Sequence, residues 1–226
     1  MTEIDLGSDQ YTYVDLVQVP LLGVPGDRTP LRQRVAIGRP WFRQLTGATP
    51  DDDEVAAFIG SMAATTSFFL LSFAANFFDG DTGRFESARV AVLLEGDTDA
   101  AAPVARSLAP ALSSKPVPAS TRLVLKAPLK LFGFGVEVGA ERETQATREE
   151  VFVRAAGEGC SDPEWVYHAT RRNPLAGVNQ MSLIAEVPAK TKLVAHIALS
   201  AIIRRPLRGS TEYRAELPDG GLVIPA

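Results

Sequence analysis

Histidine and cysteine are scarce in this sequence, and this limits the chemistry that its side chains can perform. The 226 residues contain one cysteine, Cys160, and two histidines, His168 and His196. A single cysteine cannot form an intrachain disulfide, so a disulfide framework is excluded. One cysteine and two histidines are also too few for the usual structural zinc site with its four nitrogen or sulfur ligands. We therefore expect no metal site.

Motifs that bind nucleotides or present a serine nucleophile are also missing. The sequence has no G-x-x-x-x-G-K-[ST], no G-x-G-x-x-G and no G-x-S-x-G pattern. A thiol nucleophile would need Cys160 beside His168 or His196, and the sequence shows no third group to orient such a pair. We expect no cofactor and no catalytic residue. A hydrolase on a β scaffold that involves Cys160, His168 or His196 remains one alternative.

No excess of positive charge is present. The chain has 23 basic and 27 acidic residues, whereas DNA-binding proteins usually present a basic face that neutralises phosphates. We therefore expect no nucleic-acid partner. Residues 1–10 lack the positive start and apolar core of a secretory signal, which with the single cysteine favours a cytoplasmic location. The excess of arginine over lysine and the abundance of alanine favour a bacterial source.

The overall composition is that of a soluble globular protein. The chain is 46% hydrophobic and 22% charged, which excludes an intrinsically disordered chain. The length fits one large all-β domain, and we predict a single β-sandwich-like domain over residues 1–226. Residues 1–50 are rich in proline and glycine and are predicted as an irregular region packed on it, with strands at 11–19 and 34–37.

The central part of the chain is predicted to form a helix and then a hairpin. Thr49 is a suitable cap, Pro50 suits the first helical position, and acidic residues follow, so a helix is predicted over 49–62. Residues 67–78 are predicted as a strand buried on both faces. The turn residues at 79–83 should connect it to a second strand at 85–95. The alanine-rich segment 97–114 favours a short helix interrupted by Pro103 and Pro110.

From residue 120 onward the pattern is that of a β protein. Turn residues separate candidate strands at 121–126, 131–138, 150–154, 164–169, 180–187 and 192–203. Strands at this spacing predict a mainly β fold, specifically an antiparallel two-layer β-sandwich with one or two short helices.

The segment 55–78 contains no charged residue, and its length is sufficient for a helix to cross a bilayer. Its polar residues, its acidic flanks and its change from helical to β-like periodicity favour a helix followed by a core strand. A membrane partner is possible but not favoured. A membrane-active protein that uses 55–78 is therefore the second alternative.

The absence of catalytic motifs favours a non-catalytic binding or assembly module of a soluble bacterial protein. Such a module would act through protein–protein contacts, with a protein partner or with itself. Large apolar side chains are the candidates for such contacts, because aromatic residues are enriched in interfaces. The candidate binding residues are Trp41, Phe68, Phe73, Phe78 and Trp165.

Overall fold

The computed structural model describes residues 11–20, 29–47, 53–80, 83–97, 101–113, 122–124, 127–131, 134–138, 141–143, 152–169, 174–206 and 209–216. These residues form one helix, α1 (Asp53–Met62), and sixteen strands. The first eight strands are β1 (Tyr11–Gln18), β2 (Leu31–Gly38), β3 (Trp41–Leu45), β4 (Thr66–Phe77), β5 (Arg84–Gly96), β6 (Val104–Ala109), β7 (Leu112–Ser113) and β8 (Arg122–Val124). The others are β9 (Ala127–Leu131), β10 (Phe134–Val138), β11 (Glu141–Glu143), β12 (Phe152–Ala156), β13 (Glu164–His168), β14 (Gly177–Pro188), β15 (Leu193–Arg205) and β16 (Gly209–Glu216).

Most strands belong to one antiparallel sheet. Its order is β6-β14-β4-β2-β1-β16-β15-β5-β13-β12-β7, and β3 pairs with β4 outside this order. The strands β8 and β11 form one separate two-stranded ladder, and β9 and β10 form another. The prediction of a mainly β, antiparallel fold is confirmed.

The two ends of the sheet approach the same part of the chain. β7 pairs with β12, and β6 is joined to the turn that follows β12. Here the Ala105 N–H donates to the Cys160 carbonyl at 2.8 Å, and the Gly159 N–H donates to the Ala105 carbonyl at 2.6 Å. The sheet is therefore nearly closed and barrel-like, and it is not the clearly two-layered sandwich that the strand spacing predicts.

The interior of this sheet holds the main hydrophobic core. Inward and outward side chains alternate along β5, where Val90, Val92 and Leu94 are buried while Arg89 and Leu93 are exposed. This alternation follows from the two-residue period of a strand. β15 repeats the pattern, and the register of the two strands runs over almost their whole length. The paired strands thus present one continuous apolar face to the interior.

A smaller core lies outside the sheet, between β4 and helix α1. Acidic residues occupy the first turn of α1, where the helix dipole favours them. Val55 and Ile59 stand one turn apart and are buried in a cluster that includes Phe68 and Leu70 of β4. β4 is consequently buried on both faces, as its sequence predicts. The predicted helix start at 49–52 lies outside the described residues.

The apolar segment 55–78 is thus divided between α1 and β4. Its two parts are separated by a turn after Met62, and both are anchored by buried side chains. Among the described residues, no helix has the length and apolar character needed to span a membrane.

The predicted hairpin of segments 67–78 and 85–95 is wrong, although both strands exist. β4 pairs with β14, β2 and β3, while β5 pairs with β15 and β13. Within the described part of the connection, the pairing is one isolated bridge between Gly80 and Gly83. The rings of Phe77 and Phe85 meet edge to face, with centroids 5.2 Å apart. The turn carries the chain from β4 to a distant position in the strand order. Each of the two strands buries an apolar face in the interior from its own position.

Two further predictions differ from the structure. The alanine-rich segment 97–114 contains β6 and β7 and no helix among its described residues. Pairing with β14 and burial of Ala105 and Leu108 override the helix propensity of alanine there. In the region 1–50, the described residues form β1, β2 and β3, of which β3 was predicted as loop.

Candidate functional site

The candidate binding residues differ in their access to solvent. Phe68 and Trp165 are 0% exposed and Phe73 is 3% exposed. In this conformation these three side chains present no surface to a partner. Trp41 and Phe78 are partly exposed, so they are the two candidates that can contribute to a contact.

The candidate residues lie in three separate places. Phe73 and Trp165 meet in the interior, edge to face, with ring centroids 5.9 Å apart. Trp41 packs against the outer cluster that contains Phe68. Phe78 lies against Tyr13, with centroids 5.6 Å apart. The structure therefore does not bring the five aromatic residues into one binding surface.

The strand that carries Trp41 has one unpaired edge within the described residues. β3 pairs with β4 on one side, and no described strand pairs with its other side. Its central residues Phe42, Arg43 and Gln44 are exposed, and Phe42 is 38% exposed. The free N–H and C=O groups of such an edge can pair with a strand of another chain. We call Trp41–Gln44 the β3 edge.

In the described part of the chain, β4 and the outer cluster hold the β3 edge in place from one side. Leu45 is 3% exposed and packs in the outer cluster beside α1. The register sets Trp41 opposite Ser72, Arg43 opposite Leu70 and Leu45 opposite Phe68. Trp41 and Arg43 therefore share the face that carries the helix, while Phe42 points to the other face.

The exposure of Phe42 on a strand was not predicted from the sequence. The residue follows Trp41 directly, but the prolines and glycines between residues 20 and 47 predict a loop. A strand of five residues between Pro40 and Gly47 is too short to show a clear alternation. The adjacent pair of aromatic residues is the signal in the sequence that marks this segment.

The residues of the hydrolase alternative are not assembled into a site. Cys160 is exposed in the turn that precedes β13. His168 stands at the opposite end of β13, where it pairs with Ser87, and the length of that strand alone is about 13 Å. His196 is on β15 and its Nε2 lies 3.1 Å from Glu95 Oε2. No cluster of three metal-ligating side chains occurs in the described ranges.

The serines buried between β4 and β14 have structural hydrogen bonds. The Ser182 hydroxyl donates to Ser72 Oγ at 2.9 Å, and the Ser72 hydroxyl donates to the Met181 carbonyl at 3.3 Å. Gln180 Nε2 also donates to Ser72 Oγ, at 3.3 Å. Buried polar groups need such partners because an unsatisfied group is costly. We interpret this cluster as a polar link between the two strands.

Comparison with known proteins identifies no family. No protein-family model matches this chain, and no curated protein matches it. A solved structure described as a pore forming protein is similar over 89% of this chain and 92% of the other, with 7% sequence identity and a TM-score of 0.34.

Proposed function

We propose that this chain is a non-catalytic assembly module that self-associates through the β3 edge. The observation that supports this proposal is a strand that has one unpaired edge within the described residues and carries two adjacent aromatic residues that keep part of their surface in solvent. Edge strands of this kind join when the unpaired groups of one strand meet those of another. We expect this assembly to form in the bacterial cytoplasm, which the composition of the chain favours.

One pairing register suits two copies of this strand. In an antiparallel pair centred on Phe42, the two Phe42 side chains face each other and form an aromatic cross-strand pair. Trp41 of each copy then faces Arg43 of the other on the opposite face of the ribbon. A guanidinium over an indole ring is a favourable cation–π contact. A register centred on Arg43 would instead set two positive charges opposite each other, which is unfavourable.

The strength of this association is limited by the length of the strand. β3 has five residues, and small interfaces are typical of weak and transient complexes. Each aromatic or charged cross-strand pair adds about 0.2–1 kcal/mol. We therefore expect a dimer that forms and dissociates with concentration, and not an obligate dimer.

Light scattering behind size exclusion, repeated from micromolar to millimolar concentration without detergent, tests the proposal. We expect the average mass of the native chain to rise from monomer towards dimer. Phe42→Asp should keep the chain monomeric, because it sets two carboxylates opposite each other at the centre of the pair.

Leu93→Asp is the matched control. Leu93 is 43% exposed, close to the 38% of Phe42, but it lies on β5, which is paired on both sides. This variant should associate like the native chain. The proposal is wrong if the native chain stays monomeric throughout, or if both variants associate to the same degree.

A further inference from the structure

Two arginines stand opposite each other at one end of the sheet. Arg84 begins β5 and pairs in register with Arg204 of β15. Both side chains are exposed and leave the sheet on the same side. Like charges directly opposite on neighbouring strands destabilise a sheet. A bound anion beside this pair would reduce the repulsion between the two charges.

A third arginine adjoins this pair and has an unsatisfied donor. The guanidinium of Arg205 lies over the ring of Tyr213, 5.5 Å from its centroid. Arg205 is partly buried, and its Nε is buried without a hydrogen-bond partner among the described residues. A buried donor without a partner is costly. A negative charge beside Arg205 would offset part of this cost.

A fourth arginine lies behind Gly80, beside this region. Arg34 is 5% exposed, and its Nε and one terminal nitrogen donate to the carbonyls of Phe78 at 2.9 Å and Gly83 at 2.8 Å. Burial lowers the pKa of Arg34, Asp79 opposes this effect, and the charge of Arg205 lowers the pKa further. The charges of Arg34 and Arg205 thus act on each other, and the region is electropositive.

These residues surround a depression at the surface. Its volume is about 490 Å³, which is within the range of small-molecule sites. Its lining residues are Gly80, Gly83, Arg84, Arg204, Arg205 and Pro206.

Gly83 allows the walls of the depression to approach closely. Its φ is +138°, which residues with a side chain rarely adopt. A Cβ there would lie 2.8 Å from the Arg204 carbonyl oxygen and 3.2 Å from Arg205 Cγ. The shape of the depression therefore depends on glycine at this position.

We propose that this depression binds a phosphate-type oxyanion, either a free phosphate or the phosphate of a lipid headgroup, through Arg84, Arg204 and Arg205. Guanidinium groups present parallel N–H donors that match the oxygens of phosphate. A doubly charged anion would neutralise the Arg84–Arg204 pair and would lie beside the positive charge of Arg205. Asp79 opposes the anion, so Asp79→Asn should tighten binding.

Isothermal titration calorimetry with inorganic phosphate and pyrophosphate tests the site with a free anion. We expect Arg204→Gln and Arg205→Gln to weaken binding by about tenfold or more, because each removes a charged donor. Arg89→Gln is the charge-matched control, since Arg89 is also exposed on β5 but pairs with Glu164 at 3.3 Å. It should change the affinity by less than about twofold.

Co-sedimentation with phosphatidylcholine vesicles, with and without phosphatidic acid, tests the lipid source. Binding that needs phosphatidic acid and follows the same order of variants would assign the anion to a lipid. Absence of binding to free phosphates and to vesicles alike would overturn the proposal, as would equal losses in the site variants and in Arg89→Gln. Circular dichroism checks that each variant folds. If Arg205→Gln does not fold, the exposed positions Arg84 and Arg204 decide the question.

Discussion

Substitution of Arg34 by methionine gives a sharp test of how the sheet is held together at its arginine-rich end. Arg34 is on β2, and its guanidinium bonds the Phe78 and Gly83 carbonyls on either side of the turn between β4 and β5. It also lies over the ring of Phe85, 5.0 Å from the centroid. One buried side chain thus connects β2 with the start of β5, and these two strands are not neighbours in the strand order.

The size of the effect follows from these contacts. A hydrogen bond from a charged donor contributes about 1.5–3 kcal/mol, and a partly desolvated cation–π contact about 1–2 kcal/mol. Methionine removes all of these contacts, but it also removes the cost of burying the charge, which lowers the pKa of Arg34. We therefore expect Arg34→Met to reduce the free energy of unfolding by about 3–5 kcal/mol, because it also leaves the Phe78 and Gly83 carbonyls without this charged donor.

Arg32→Met is the matched control on the same strand. Its side chain is 75% exposed, and its Nε lies 3.7 Å from Asp15 Oδ2. An exposed ion pair of this kind contributes at most about 1 kcal/mol. Urea unfolding followed by circular dichroism measures both variants. If Arg34→Met destabilises the protein no more than Arg32→Met does, the argument that Arg34 connects β2 with the start of β5 is refuted.

Substitutions at three further positions probe the packing. Gly83→Ala should destabilise the protein by about 1–3 kcal/mol or more, because the added Cβ would meet the Arg204 carbonyl oxygen at 2.8 Å. Gly60→Ala should stabilise the protein by about 0.5–1 kcal/mol, since a Cβ on this exposed residue of α1 meets nothing within 4 Å. Urea unfolding measures both alanine variants. A reversed order of their stabilities would contradict both expectations. Trp165→Ala should cost about 3–5 kcal/mol. Trp165→Phe should cost clearly less, because the indole N–H has no hydrogen-bond partner among the described residues. Equal costs of the two variants in thermal unfolding would contradict this expectation.

The strands of this protein could be predicted where an apolar face shows a clear period. The predicted segments 164–169, 180–187 and 192–203 correspond to β13, β14 and β15. β4 was also predicted, because both of its faces are apolar. These elements bury large side chains on a regular pattern, and local sequence carries that pattern.

The pairing of the strands could not be predicted in the same way. β4 and β5 are consecutive and joined by turn residues, which favours a hairpin. In the structure, however, they are not neighbours in the sheet. The partner of each strand depends on contacts with β14 and β15, about a hundred residues later in the chain. Local patterns contain no information on such distant contacts, and they also do not distinguish a nearly closed sheet from a sandwich.

The candidate sites were even less accessible from the sequence. Composition favoured aromatic residues for a contact surface, but burial places Phe68, Phe73 and Trp165 in cores. Trp41 remains a candidate. Its neighbour Phe42 is a candidate because β3 is an edge strand among the described residues, which the sequence does not show. The arginine-rich depression joins Arg84 with Arg204 and Arg205, whose proximity is set by the β5–β15 register.

Disulfide cross-linking across the proposed dimer tests the central claim most directly. In a Cys160→Ser background, which removes the exposed native thiol, Phe42→Cys should form a covalent dimer under mild oxidation. The reason is that residue 42 faces its own copy at the centre of the proposed pair.

Gln44→Cys and Leu93→Cys are the controls for this measurement. Gln44 is exposed on the same strand but does not face its own copy in the proposed register, and Leu93 lies on a different strand. We expect a rapid dimer from Phe42→Cys and little from either control. Equal cross-linking of all three variants, or none from Phe42→Cys at millimolar concentration, would contradict assembly through the β3 edge.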